Sequence, residues 1–332
     1  MELRNFGKTG LMVTPIGLGM AALGRPGYIN LGHASDLSQQ YEIEAMEANT
    51  HQVINAAWQA GIRYFDAARS YGRGEAFLGN WLKEKEISFG EVTIGSKWGY
   101  TYTANWQVKA ENHEVKEHKL PVLQRQWRES EENLSPFLKL YQIHSATLES
   151  GVLDNKEVLN QLIKLKQDGI KIGLSLSGES QKQTLQKALG IDTDGVLLFD
   201  AVQATWNVLE PSVGKELQHA SDLGMGVIIK EVLANGRLTT RNQEQDFKSK
   251  MDMLQSMADK YETSIDALAM AAALQQQFTD VVLSGAATVE QLQSNIKALH
   301  VDLDIEEADH LIEELAETPG QYWQTRKQLE WN

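Results

Sequence analysis

Short apolar runs alternate with amphipathic stretches along the whole chain. Eight runs read as strands: residues 15–20, 62–67, 92–97, 138–144, 172–177, 201–206, 226–230 and 281–284. Nearly all-apolar runs of this length suit strands covered on both faces. The stretches between most of them carry helical periodicity, including 74–85, 122–134, 156–168, 181–188, 213–223 and 289–299. Two further helices are expected between Phe247 and Phe278, and another at 305–317 after the last strand. Strand–helix alternation predicts parallel strands with right-handed crossovers, and eight such units predict a closed (β/α)8 TIM barrel. An open doubly wound sheet is the competitor. Its phosphate-binding glycine fingerprint has no good match, because in GLGMAALG the third glycine, Gly24, comes two positions late. Those glycines read as a tight strand exit. No linker divides the chain, so residues 1–332 are expected to form one barrel domain, with 300–332 as a C-terminal helix and tail.

A barrel of this kind carries its active site at the C-terminal ends of its strands. The polar residues ending or following strands are Asp66, Arg69, Tyr71, Lys97, His144, Ser175, Ser177, Gln203, Asn207, Lys230 and Glu231. Two long connections, about 98–121 and 234–247, emerge on the same side. The first is aromatic, and a wall or lid of the pocket is expected there. Trp98, Tyr100 and Trp106 are candidates for touching substrate; alternatively they close a small core of the loop itself. The tail QYWQTRKQLEWN is too aromatic to stand in solvent and is expected to dock on the barrel or on a neighbouring subunit.

Composition narrows the functions. Lys+Arg number 31 against 45 Asp+Glu, a net charge of −14, which argues against nucleic acid as a partner. Cysteine is absent, so disulfides, thiolate catalysis and Cys-based metal sites are excluded. His113 and His118 lie among Glu111, Glu114 and Glu117 without diagnostic ligand spacing, and no metal site is expected. No run approaches the ~18 apolar residues of a membrane span. A cytoplasmic protein acting on a small molecule, with no membrane partner, is expected; the oligomeric state stays open.

Four strand-end residues make a chemical set. Asp66, Tyr71, Lys97 and His144 converge on one rim, where Lys beside a phenol is expected to lower the tyrosine pKa and Asp to keep the Lys charged. His can donate a hydrogen bond to a substrate oxygen while the phenol acts as general acid or base.

The segments YFDAARSYGRGE, IGSKWG and LYQIHS resemble the active-site segments of the aldo-keto reductase superfamily. FGKTGLMVTPIGLGMAALG resembles its N-terminal hairpin and first strand; IGLSLSG, AVQATWN and SGAATVEQLQSN resemble its cofactor-binding segments. The resemblance implies a (β/α)8 barrel binding a nicotinamide cofactor. It implies Tyr71 as acid/base, Lys97 and Asp66 as its partners, and His144 as the group orienting the carbonyl. It also places Ser175 and Gln203 on the nicotinamide carboxamide. Asn295 and the backbone from Gly285 through Ala286 and Ala287 to Thr288 fall on the adenosine half. This chain departs from the pattern at Leu176, where many members have Asn, and at Lys230, where many have a stacking Tyr. Trp206 is the candidate to replace that stacking. Gly285, Ala286, Ala287 and Gln291 stand where basic residues often hold a 2′-phosphate. The family favours NADP and these residues favour NAD; the expectation leans slightly to NADP.

The leading function is hydride transfer between nicotinamide and an aldehyde, ketone or sugar-like alcohol. The alternatives are a cofactor-binding redox sensor with little turnover, and an aldolase using Lys97 as a Schiff base.

Overall fold

The computed structural model describes residues 1–193 and 195–332. Eight parallel strands close into a barrel: β1 (Ile16–Gly19), β2 (Tyr64–Asp66), β3 (Thr93–Trp98), β4 (Leu138–Ala146), β5 (Lys171–Leu176), β6 (Ala201–Thr205), β7 (Gly226–Lys230) and β8 (Val281–Ser284). Each pairs with its sequence neighbours, and β8 closes on β1 through Val282–Ile16, Leu283–Gly17 and Ser284–Leu18. Helices α1 (Ile43–Gln59), α2 (Gly74–Glu84), α3 (Leu120–Leu134), α4 (Lys156–Gln167), α5 (Gln181–Leu189), α6 (Gly214–Leu223), α7 (Lys248–Lys260), α8 (Ile265–Leu274) and α9 (Val289–Ile296) lie between and after the strands. α10 (Ile305–Leu315) and α11 (Pro319–Gln328) complete the chain. Their starts are written in the sequence. The Asn155, Thr288, Asp304 and Thr318 side chains accept backbone N–H bonds at the starts of α4, α9, α10 and α11.

The core has two layers, as strands with alternating faces require. The outer layer packs strands against helices. The inner one holds Tyr64, Leu140, Ala201, Ile228 and Val281. An N-terminal hairpin, Arg4–Asn5 against Met12–Val13, stops the bottom of the barrel with buried Phe6 and Val13. The expected docking of the tail occurs on the barrel's own helices: Leu311, Leu315, Tyr322 and Trp323 join Leu254, Ala258 and Leu268 of α7 and α8 in one cluster. Among the described residues, no helix is long and apolar enough to cross a membrane.

The glycines after β1 have a packing reason. A Cβ on Gly24 would stand 2.2 Å from the Tyr71 carbonyl oxygen and 2.6 Å from the Gly74 backbone. Arg73 N–H donates to Gly24 O at 2.7 Å. The turn that carries Tyr71 is therefore seated on Gly24. Gly24→Ala is expected to cost about 1–3 kcal/mol of stability, as overpacking does, and to displace Tyr71, lowering kcat. Urea unfolding of the variant checks the first effect.

Candidate active site

The four rim residues meet at the C-terminal mouth. Lys97 is fully buried and Asp66 is 2% exposed. Lys97 Nζ donates to Asp66 Oδ2 at 2.5 Å, to Ala67 O at 2.8 Å and to Tyr71 Oη at 3.3 Å. A lysine ammonium has three donors, and all three are committed. No lone pair is left for attack on a carbonyl, which disfavours the Schiff-base alternative. Asp66 Oδ1 accepts from Gln203 Nε2 at 2.9 Å, and from Gln142 Nε2 and Tyr64 Oη at 3.3 Å each. The carboxylate is thus fixed from β2, β4, β6 and the Lys of β3. The His144 ring stands edge-on to Tyr71, centroids 5.5 Å apart. Its Nδ1 lies 3.4 Å from Ser70 Oγ, and among the described residues no protein partner engages Nε2.

Electrostatics correct one expectation. The Tyr71 phenol is pushed well above its usual pKa, by burial first and by the Asp66 carboxylate next. Lys97 does not bring it down in this setting, so Tyr71 keeps its proton at neutral pH and is an acid at rest. His144 is driven well below its usual pKa by burial, reinforced by Lys97, Arg25 and Lys230. It is a neutral imidazole. Burial brings Lys230 down to about 8. Burial also works to raise Glu231, but Arg326 and Lys230 outweigh it and hold the carboxyl at about 2.

These groups open into a cavity of about 550 Å³, within the roughly 300–1,000 Å³ of small-molecule sites. Gly19, Asp66, Tyr71, His144, Gln203 and Lys230 line one part, and Gly285, Ala286, Gln291 and Asn295 another. The cavity therefore crosses the strand ends from β2–β4 to the start of α9, and an extended ligand fits it.

Several expected contacts fall elsewhere. Trp98 is fully buried, edge-on to His118. Its neighbour Lys97 points into the barrel, so strand alternation turns Trp98 out toward the helices. Trp206 packs on Phe278, outside the barrel for the same reason, and cannot replace the missing stacking ring. Trp106 donates to Tyr41 O at 2.6 Å and packs on Phe77, closing a satellite core under the loop. Tyr100 alone of the three touches a rim residue, its ring 5.0 Å from that of His144, although it lies outside the cavity lining. Ser175 is fully buried; its Oγ accepts from Ser145 N at 2.8 Å, so it shapes the end of β4 from behind. Ala287 is buried and outside the lining, although its carbonyl accepts from Asn49. Arg69 turns away to Glu75, at 2.7 Å, and Glu129. Fully enclosed Glu75 also accepts from Ser96 and Ser130, tying the Tyr71 turn to β3 and α3.

The structure adds walls that sequence reasoning missed. Arg25 donates to Glu114 at 2.9 Å and lies over the rings of Tyr28, Tyr71 and Trp331. Arg326 of α11 grips Glu231 through Nε and Nη2, at 2.5–3.0 Å. Trp331 stacks on His113 at 3.9 Å. The Tyr28 and Asn332 backbones exchange two hydrogen bonds. The tail and the loop after β1 thus close the catalytic side of the cavity. Only the aromatic content of the tail hinted at this.

Buried His33 and His118, together with His144, set an acid limit. Burial brings both His33 and His118 down to about 4. Between 4 and the unfolded value of about 6.5, the unfolded chain binds more protons than the folded one. Stability is therefore complete above about pH 6.5 and falls as pH drops toward 4. Urea midpoints are expected to be flat from neutral pH down to 6.5 and to decline below it. His118→Gln is expected to shallow that decline.

The profile of the Aldo/keto reductase family matches residues 15–316. The chain belongs to the aldo/keto reductase family. As a member it is an oxidoreductase of the NAD(P)-dependent type. Pyridoxal 4-dehydrogenase of Microbacterium luteolum is 26% identical, over 89% of this chain and 92% of that one. An NADH-specific methylglyoxal reductase of Escherichia coli is 24% identical, over 94% and 97%. The fold of a holo-form aldo-keto reductase from Bacillus halodurans superposes with a TM-score of 0.72 at 18% identity, covering 96% of this chain and 97% of that one.

Proposed function

We propose that the protein interconverts a small carbonyl compound and its alcohol, with Tyr71 as general acid and base. The observation that carries this is the Lys97 hub, with Nζ 2.5 Å from Asp66 and 3.3 Å from Tyr71 at the mouth of the cavity. A bound nicotinamide dinucleotide would supply or accept the hydride. Gly285, Ala286, Gln291 and Asn295 would hold its adenosine half, and Gln203 and Lys230 would border its nicotinamide half.

Tyr71 and His144 do the polar work. Neutral His144 presents Nε2 to the substrate oxygen and orients it. Tyr71 Oη gives its proton to the oxygen as negative charge develops there. The phenolate left behind is stabilised by the Lys97 ammonium, which Asp66 holds in place. In the reverse direction the same phenolate takes the proton back. Resting Tyr71 is protonated at neutral pH, the state from which it can give a proton to the carbonyl oxygen.

The substrate side is polar with its charges already paired, Arg25 with Glu114 and Arg326 with Glu231. Uncharged aldehydes, ketones and sugar-like carbonyls suit such a wall better than strongly charged ones. A panel of these compounds with reduced coenzyme tests the reading. Multiple turnover on at least one is expected. Tight coenzyme binding without turnover on any member would favour a sensor.

A further inference from the structure

We infer that Asp36, by holding Arg241, makes the cavity select NAD(H) over NADP(H). The inference rests on the nicotinamide reading above and deepens it.

Arg241 lies in the loop after β7, and Asp36 ends a short turn of helix, His33–Asp36, in the loop after β1. Both line the cavity. Arg241 Nη1 donates to Asp36 Oδ2 at 2.7 Å and to Leu31 O at 2.9 Å, while Nη2 donates to Asp36 Oδ1. The fork of the guanidinium is thus filled by a carboxylate in the bidentate manner that a phosphate would otherwise use. The pair joins the loops after β1 and β7 across the cavity, and one link leads from it toward the start of α9. Asp36 and Asn49 share the wall of a small adjoining cavity, and Asn49 donates to Ala287 O at 3.0 Å.

Beyond this pair, the other charged side chains near the start of α9 are carboxylates. Asp266 and Glu290 line the cavity there, and Asp266 accepts from Asn295 Nδ2 at 2.9 Å. The other cations of the lining belong to the catalytic side. Arg25 lies over Tyr71, Lys230 and Arg326 pair with Glu231, and Lys327 follows Arg326 on α11. Among the described lining residues, Arg241 is the cation held by the same loop that adjoins Asn49 and Ala287, and its fork is occupied. A 2′-phosphate carries about −1.5 to −2 charges at neutral pH, as phosphate monoesters do. It would meet carboxylates and no free partner. A ribose with a free 2′-hydroxyl meets acceptors that it can donate to.

Asp36 is a specificity residue on this account, since removing it frees Arg241. The test is titration of the whole protein with NADH and NADPH, following quenching of tryptophan emission and energy transfer to the reduced nicotinamide. The native protein is expected to bind NADH more tightly by about tenfold or more. Asp36→Ala is expected to narrow the ratio by about tenfold, through gained NADPH affinity. Adding Arg241→Ala to it is expected to abolish that gain. Asp36→Asn serves if the alanine variant fails to fold, with retained NADH binding as the check. Tighter binding of NADPH by the native protein, or an unchanged ratio in the Asp36 variants, overturns the selector and leaves the nicotinamide reading standing. No saturable binding of either coenzyme overturns both.

Discussion

Replacing Tyr71 by Phe is expected to lower kcat by about 10²–10⁴-fold, the usual contribution of a positioned general acid. The variant keeps the ring that packs against His144 and Arg25 and loses only the hydroxyl. Stability and coenzyme affinity are therefore expected to change little. Lys97 keeps its bonds to Asp66 and Ala67 O, so the hub survives the loss of its weakest partner, at 3.3 Å. Steady-state kinetics with any active carbonyl, beside a coenzyme titration of the same preparation, separates the chemistry from binding. Turnover near the native level would remove Tyr71 from the role given to it.

Lys97→Met acts on stability as well as on turnover. The native pair is enclosed by the barrel, and Met leaves Asp66 charged without its counter-ion. Removing one partner of a buried pair costs about 3–5 kcal/mol. The remaining acceptor bonds from Gln203, Gln142 and Tyr64 soften the loss without cancelling the charge. A relieving change is available in Asp66→Asn. The double variant Asp66→Asn with Lys97→Met is expected to recover much of the lost stability and none of the activity. Urea unfolding of the two single variants and the double one measures the coupling. Independent, additive losses would contradict the enclosed pair as the source.

The barrel was legible because its strands are short, apolar and regularly interrupted, and because β2, β3 and β4 or their exits each deliver an ionisable residue to the same rim. Asp66, Tyr71, Lys97 and His144 could be read for that reason. The tryptophans misled because an aromatic residue near a strand end says nothing of which face it takes. Alternation would have corrected two of them: Trp98 follows inward Lys97, and Trp206 follows Thr205, which reaches Lys230 inside the barrel. The direction of the tyrosine pKa is not legible in the sequence, because proximity to Lys97 is visible there and depth of burial is not.

The walls of the cavity were not legible. Arg326 meets Glu231 across 95 positions, and Arg241 meets Asp36 across 205. No local periodicity encodes such pairs; they arise only when the loops and the tail fold over the mouth. Gly24 is the intermediate case. Its place after β1 is visible in the sequence, whereas its reason, the carbonyl of Tyr71, lies on another strand's exit.

Isotope transfer tests the central claim most directly. Reduced coenzyme carrying deuterium at C4 of the nicotinamide is incubated with a carbonyl compound that supports turnover, and the alcohol is analysed by mass spectrometry and NMR. The account predicts one deuterium on the former carbonyl carbon, transferred without exchange with water, and no product from the Tyr71→Phe protein above a small residue. Deuterium lost to solvent, or coenzyme oxidation without a labelled alcohol for any carbonyl tried, would contradict it.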